Sequence, residues 1–191
     1  RMNSYRTPKG SKTIVLDRDG VINRDSSSYI KSAEEWIPIS GSINAIARLH
    51  KANFRVIIAS NQSGLARGYF DEAALTRMHD KMNSLVEDSG GVISAIFYCP
   101  HSPDEGCSCR KPKTGLLERA EVEFDISLAG DYFVGDSLKD LQAATSFNME
   151  PILVRTGKGR QTEVSLSEEI RNQTRIFNNL ESAVNWILKK Q

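Results

Sequence analysis

No stretch of the sequence approaches the ~20 consecutive apolar residues that a membrane-spanning helix needs, so no membrane partner is expected. An excess of one charge is missing as well. The 25 Lys and Arg residues against 24 Asp and Glu leave a formal net charge of +1. Such a balance carries no electrostatic footprint for nucleic acid, and any positive site has to be built locally. Cysteine is scarce: Cys99, Cys107 and Cys109 are the 3 in the chain, all within one short stretch. An odd, clustered set does not look like a disulfide framework and reads as a metal site in a reducing compartment. The opening RMNSYRTPKGSK lacks the apolar core of a secretory signal, which together with the thiols predicts a cytoplasmic protein. There is no internal repeat.

What is present suits one domain spanning 1–191, with 1–11 as a flexible N-terminal segment. The chain has 191 residues, 39% hydrophobic and 26% charged, enough for a full core. Buried strands are predicted at Thr13–Leu16, Arg55–Ala59, Val92–Tyr98, Tyr132–Val134 and Pro151–Val154. Between them lie helical patterns. Ile43, Ile46, Ala47 and His50 share one face. Asp71 caps a helix with the stripe Leu75, Met78, Met82 and Leu85. Further helices are expected over Pro112–Phe124, over Leu138–Thr145 and from Leu180 onward. The polar stretch 157–174 reads as a surface loop. Alternating strands and helices predict an α/β fold, a Rossmann-like parallel sheet with helices on both faces.

In such sheets ligands bind beyond the carboxyl ends of the strands. Asp17 and Asp19 follow the first strand, Ser60 and Asn61 the second, Cys99 and His101 the third, and Asp136 the fourth. Carboxylates from two strand ends make a plausible hard-cation site. A strand-end carboxylate can act as a nucleophile when a cation offsets its charge, and a second acid two residues on can move protons. Each feature also has a bland reading. Asp17 and Asp19 could be a loop pair before Gly20, Asp136 or Ser137 a helix cap, Ser60–Asn61 a turn, and Lys111 a solvated lysine.

The loop Cys99-Pro-His101-Ser-Pro-Asp-Glu-Gly-Cys107-Ser-Cys109-Arg110-Lys111-Pro112 is more specific. Three cysteines and one histidine complete a tetrahedral Cys₃His set for Zn²⁺ with no open position, so the metal is expected to be structural. The bland alternative is buried thiols and an exposed His101. Arg110 and Lys111 directly follow the last ligand, so a zinc clip there would fix the backbone presenting both cations. His50 and His79 fall in helical patterns and read as core or surface residues.

Taken together and in this order, Asp17 with Asp19, Ser60-Asn61, Lys111 and Asp136 with Asp140 resemble the four motifs of the haloacid dehalogenase-like phosphohydrolases, from Ile14 to about Val154. The resemblance implies a Mg²⁺-dependent phosphomonoester hydrolase working through a phosphoaspartate. By it, Asp17 is the nucleophile and Asp19 the general acid and base. Ser60 and the Asn61 backbone hold phosphoryl oxygens, and Lys111 steadies Asp17 and the phosphate. Mg²⁺ is bound by Asp17, the Asp19 carbonyl and Asp136, with Asp140 just behind. There is no room for a large cap domain, so the site is expected to be open, walled by the flap 20–38 and the zinc-binding loop.

Within that superfamily the pattern C-x-H…C-x-C-R-K-P is similar to two families, the D-glycero-D-manno-heptose-1,7-bisphosphate 7-phosphatases and the histidinol-phosphatases. Ser60-Asn61-Gln62-Ser63-Gly64-Leu65-Ala66-Arg67-Gly68 resembles the heptose family. That family implies a sugar bisphosphate substrate, loss of its C7 phosphate, and a place in lipopolysaccharide precursor synthesis. Asp25, Tyr29, Gln62, Ser63 and Arg110 would then contact the sugar or distal phosphate. Some heptose phosphatases carry Lys directly after the metal-binding Asp, where this chain has Ser137. An Arg suits a second phosphate because its guanidinium donates paired hydrogen bonds; the bland alternative is an Arg that braces the zinc loop. A monomer is expected. A zinc-stabilised binding domain without catalysis is the reading from a different class, and a nucleic-acid 3′-phosphatase finds no basic groove or aromatic platform here.

Overall fold

Every residue of the short β-branched run Thr13–Leu16 is buried, and a strand can bury both faces only inside a parallel sheet with helices on either side. The computed structural model, which describes residues 12–191, has that architecture; the expected flexible segment 1–11 lies outside the described residues. Six strands run in parallel: β1 (Thr13–Leu16), β2 (Arg55–Asn61), β3 (Ala95–Cys99), β4 (Tyr132–Gly135), β5 (Glu150–Val154) and β6 (Arg175–Phe177). Their order is β3-β2-β1-β4-β5-β6. Central β1 pairs Val15 with Ile57 on one side and with Phe133 on the other. Connections wind outward in opposite directions from the β1–β4 junction, the place where such sheets open a crevice.

Alternation along the strands splits the core in two. Ile14, Leu16, Val56, Ile58 and Val134 face α1 (Ser42–Lys51), α2 (Glu72–Asp88) and α7 (Leu180–Lys189). Val15, Ile57 and Phe133 face α3 (Gly115–Phe124) and α4 (Leu138–Ser146). Each fully buried Ile or Leu contributes roughly 1.5–3 kcal/mol by leaving water. Asp71 caps α2 as expected, accepting from the Ala74 N–H at 2.8 Å.

Three expectations need correction. The third strand begins at Ala95 rather than Val92, because Gly91 is still tied to the end of α2 through Val86 O (2.9 Å) and lies against Ala47. The helix expected from Pro112 begins at Gly115, since Arg110–Lys113 forms a turn closed by Lys113 N to Arg110 O at 2.9 Å. The stretch 157–174 is not a loop. It holds α5 (Gly159–Ser165) and α6 (Glu168–Gln173) and leads into β6. Its apolar pattern is sparse: Leu166 and Ile170 pack on Leu141 and Leu153, while Val164 is 85% exposed. Among the described residues no helix is long and apolar enough to cross a membrane.

Candidate active site

The carboxyl ends of β1 and β4 meet at the crevice. Asp17 N–H donates to Val134 O at 2.9 Å, tying the first residue beyond β1 to β4. The chain then turns at Gly20, whose φ of 84° favours glycine. A Cβ there would also collide with the Asp136 carboxylate. On the neighbouring strand of the sheet, Asp136 follows β4 and Ser137 caps α4. The Ser137 N–H and hydroxyl both donate to Asp140 Oδ2, at 3.2 and 3.0 Å, which turns the Asp140 carboxylate back toward Asp136.

Asp17, Asp136 and Asp140 offer oxygens within 4.8 Å of one another, and all three are buried. Lys111 reaches in from the loop after β3. Its Nζ stands 2.9 Å from Asp17 Oδ1 and 2.7 Å from Asp140 Oδ1, and donates to Ala59 O at 2.7 Å. Three carboxylates against one lysine leave negative charge in excess. Burial, with Asp140 and Asp136 close by, pushes the Asp17 carboxyl well above the carboxylate range despite Lys111. Burial and Asp140 push Asp136 up to about 7. Burial opposes the charge on Lys111, but Asp140 and Asp17 outweigh it and hold the lysine above its ordinary value. A set of hard oxygen donors with uncompensated charge suits a small divalent cation such as Mg²⁺.

Asp19 has a different environment. Burial pushes its carboxyl up, but the Arg18 guanidinium and hydrogen bonds from Asn23, Arg18 and Gln62 outweigh that and lower it. Arg18 is fully buried, contacting Asp19 Oδ1 through Nη2 at 2.8 Å and Nε at 3.1 Å. Its Nη1 lies 3.2 Å from His79 Nε2. Burial and Arg18 push the His79 imidazole down to about 3, which keeps it neutral as an acceptor. Arg18 had no assigned role in the sequence, because an arginine between two acids looks like a solvated partner.

A cavity of about 610 Å³ opens over these groups. The flap contributes Asp25 and Tyr29, the end of β2 and the residues after it contribute Asn61, Gln62 and Ser63, and the loop after β3 contributes Arg110. Ser60 lies underneath, 1% exposed, its hydroxyl accepting from Gln62 Nε2 at 2.8 Å while the same nitrogen donates to Asp19 Oδ2 at 3.0 Å. The Asn61 side chain pins the Lys111 peptide from both sides, accepting from Lys111 N at 3.0 Å and donating to Lys111 O at 3.1 Å. Arg110 Nη1 is buried with no hydrogen-bond partner among the described residues. Tyr29, at a φ of 67°, packs against Tyr69 at a centroid distance of 5.0 Å, joining the flap to the loop after β2. Lys139 and Lys158, to which the sequence pattern assigns no role, also line the cavity. Lys158 lies in the stretch read as a loop, where no local pattern points to the site.

Next to this cavity, Cys99, His101, Cys107 and Cys109 form a second cluster, and the cysteines are free thiols. Cys99 Sγ lies 3.6 Å from Cys107 Sγ and 3.0 Å from Cys109 Sγ. His101 Nδ1 lies 3.5 and 3.2 Å from Cys99 and Cys109. A tetrahedral zinc with Zn–S bonds of about 2.3 Å has sulfur–sulfur edges of roughly 3.8 Å, so these four donors could close around one ion after a slight expansion.

A parallel sheet that gathers acids at its first and fourth strand ends, with a lysine folded over them, places the protein among the haloacid dehalogenase-like hydrolases. The HAD-hydrolase-like family model matches residues 108–183. The chain is 52% identical over 169 residues to the D-glycero-β-D-manno-heptose-1,7-bisphosphate 7-phosphatase of Pseudomonas putida, covering 88% of this chain and 95% of that one. It is 54% identical to the protein of the same name from Bordetella bronchiseptica over 79% of this chain and 84% of that one. The crystal structure of D,D-heptose 1,7-bisphosphate phosphatase from B. bronchiseptica, complexed with magnesium and phosphate, superimposes with a TM-score of 0.89 at 48% identity, covering 94% of this chain and 99% of that one. The chain belongs to the D-glycero-β-D-manno-heptose-1,7-bisphosphate 7-phosphatase family.

Proposed function

We propose that this protein is a Mg²⁺-dependent phosphomonoester hydrolase that removes the C7 phosphate of D-glycero-β-D-manno-heptose 1,7-bisphosphate. The observation that carries the substrate is Arg110. Arg110 lines one cavity with Asp17 and Lys111, so a molecule held at Asp17 can place a second anion on the guanidinium. The names of the relatives support the same sugar and the β anomer.

In this reading Asp17, the Asp19 carbonyl and Asp136 hold Mg²⁺, which neutralises charge on the phosphoryl oxygens. The Asp17 carboxylate attacks phosphorus, forming an acyl phosphate as the bond to the sugar oxygen breaks. Asp19 gives its proton to that oxygen. It then takes a proton from water, which attacks phosphorus, releases phosphate and restores Asp17. Arg18 holds Asp19 ionised in the free protein; an arriving phosphate opposes this and lets Asp19 carry the proton it delivers. Lys111 favours the ionised form of Asp17 against the neighbouring acids, a bias that a bound cation would complete, and contacts the phosphate. Asn61 and Gln62 shape the phosphate pocket, Gln62 coupling Ser60 to Asp19. Asp25, Tyr29 and Ser63 face the sugar. Zn²⁺ on Cys99, His101, Cys107 and Cys109 is structural and steadies Arg110 and Lys111. The residues named come from one chain, so a monomeric, single-domain enzyme suffices. The free thiols favour a reducing, cytoplasmic setting.

Specificity constants test the assignment. The heptose bisphosphate is expected to exceed histidinol phosphate by several orders of magnitude, with heptose 1-phosphate as product. Arg110→Ala is expected to weaken transition-state binding by about 1.5–3 kcal/mol on the bisphosphate and hardly at all on a monophosphate lacking the distal group. Equal losses on both substrates would remove Arg110 from the second phosphate, and a preference for histidinol phosphate would overturn the assignment.

A further inference from the structure

The turn between β5 and α5 has no part in the chemistry above, yet it touches both carboxylate-bearing loops. Thr162 Oγ1, on the buried side of α5, donates to the backbone oxygen of Asp136 at 2.8 Å. The Lys158 N–H donates to Asp136 Oδ2 at 2.9 Å. Thr156 Oγ1 donates to the backbone oxygen of Gly20 at 2.6 Å, one residue beyond Asp19. Gly157, at a φ of 57°, lies so close that a Cβ would meet both Gly20 and the Asp136 carboxylate. Asp136 and Thr162 are 3% and 7% exposed, so little solvent competes for the bond between them, while the Thr156 and Lys158 bonds are half-buried.

Asp19 and Asp136 come from different strands. Each loop could drift alone, and Mg²⁺ tolerates little drift because it demands near-octahedral geometry at short distances. One rigid segment bonded to both loops removes that freedom. It also occupies Asp136 Oδ2, which leaves Oδ1 for a cation. We infer that residues 156–162 form a clamp that sets the spacing between the Asp19 and Asp136 loops, with Thr156 and Thr162 as positioning residues for the divalent cation. This inference rests on the Mg²⁺ reading of the site.

Calorimetric titration of Mg²⁺ alone into the purified protein, Thr162→Val, Thr162→Ser, Thr156→Val and Thr156→Ser tests it, with the melting temperature of each recorded in chelator. Outer partners of metal ligands typically change affinity by roughly 10–100-fold. Each valine variant is therefore expected to bind Mg²⁺ at least about tenfold more weakly. Each serine variant, which keeps the hydroxyl, is expected to recover most of the loss. At saturating Mg²⁺ the valine variants should regain most of their kcat, since no reacting group is lost. Valine variants that bind Mg²⁺ like the parent, or serine variants as weak as valine, would overturn the clamp while leaving the site intact. A parent protein that binds no Mg²⁺ would overturn the cation reading and the clamp with it. If Thr162→Val does not fold, the Thr156 pair decides on the same criteria.

Discussion

Replacing Lys111 by Met probes the balance of charge at the site most directly. Methionine keeps much of the stem that crosses the core but removes the ammonium that faces Asp17 at 2.9 Å and Asp140 at 2.7 Å. Those two carboxylates, with Asp136, are then buried with no compensating cation. Removing one partner of a buried ion pair typically destabilises by about 3–5 kcal/mol, because the other charge stays desolvated. Part of that loss can be relieved by protonation. The Asp17 carboxyl is already raised by burial and Asp140, and without Lys111 it rises further. A carboxyl whose folded pKa lies above its unfolded value makes the folded state bind more protons, so stability falls as pH rises between the two values. The deficit of Lys111→Met relative to the parent should therefore be larger near pH 8 than near pH 5. Added Mg²⁺ should recover part of it at the higher pH. Urea denaturation of both proteins in chelator and in Mg²⁺, across that range, measures all three. Turnover should fall by about 10²–10³-fold, typical for loss of one preorganised donor. A variant as stable as the parent at every pH would refute the view that Lys111 offsets the acid cluster.

Asp17→Asn should lose turnover while keeping the fold, read as phosphate release beside circular dichroism; retained activity would exclude a covalent aspartyl step. Elemental analysis of protein purified without added metal should find one zinc per chain, and Cys107→Ser should lose it, lower the melting temperature and weaken substrate binding through Arg110. Metal-free protein with unchanged stability would remove zinc from the account. For His79, burial and Arg18 hold the folded pKa at about 3, below the ordinary 6.5. The unfolded chain thus binds more protons between those values, and stability should fall as pH drops through that window. His79→Gln, which keeps an acceptor for Arg18, should flatten the slope in urea midpoints; an unchanged slope would mean another group titrates.

Much of this protein was legible from residue order because its inner strands, β1 and β2 above all, are short, β-branched and buried on both faces, whereas the three-residue, half-exposed edge strand β6 was not expected. Runs such as Val56–Ile58 and Thr13–Leu16 declare themselves without partners, and the polar residue after each marks the open edge of the sheet. The compact Cys-x-His and Cys-x-Cys spacing likewise predicted which side chains would meet. Tertiary structure alone decided which groups act on those residues. Arg18 looks solvated in sequence but is fully buried against His79, sixty-one positions away. Asn61, whose backbone is read as the phosphate contact, also has a side chain that binds the Lys111 peptide, a role its position in the sequence does not show. Ser60 sits under Gln62 rather than at the cavity surface. The stretch 157–174 carries too few apolar residues to show a period, yet its threonines and backbone reach Asp136 and Gly20. Local pattern records which face of an element is buried. Which polar atoms meet there depends on chain crossings between distant segments, and no period within a single element encodes them.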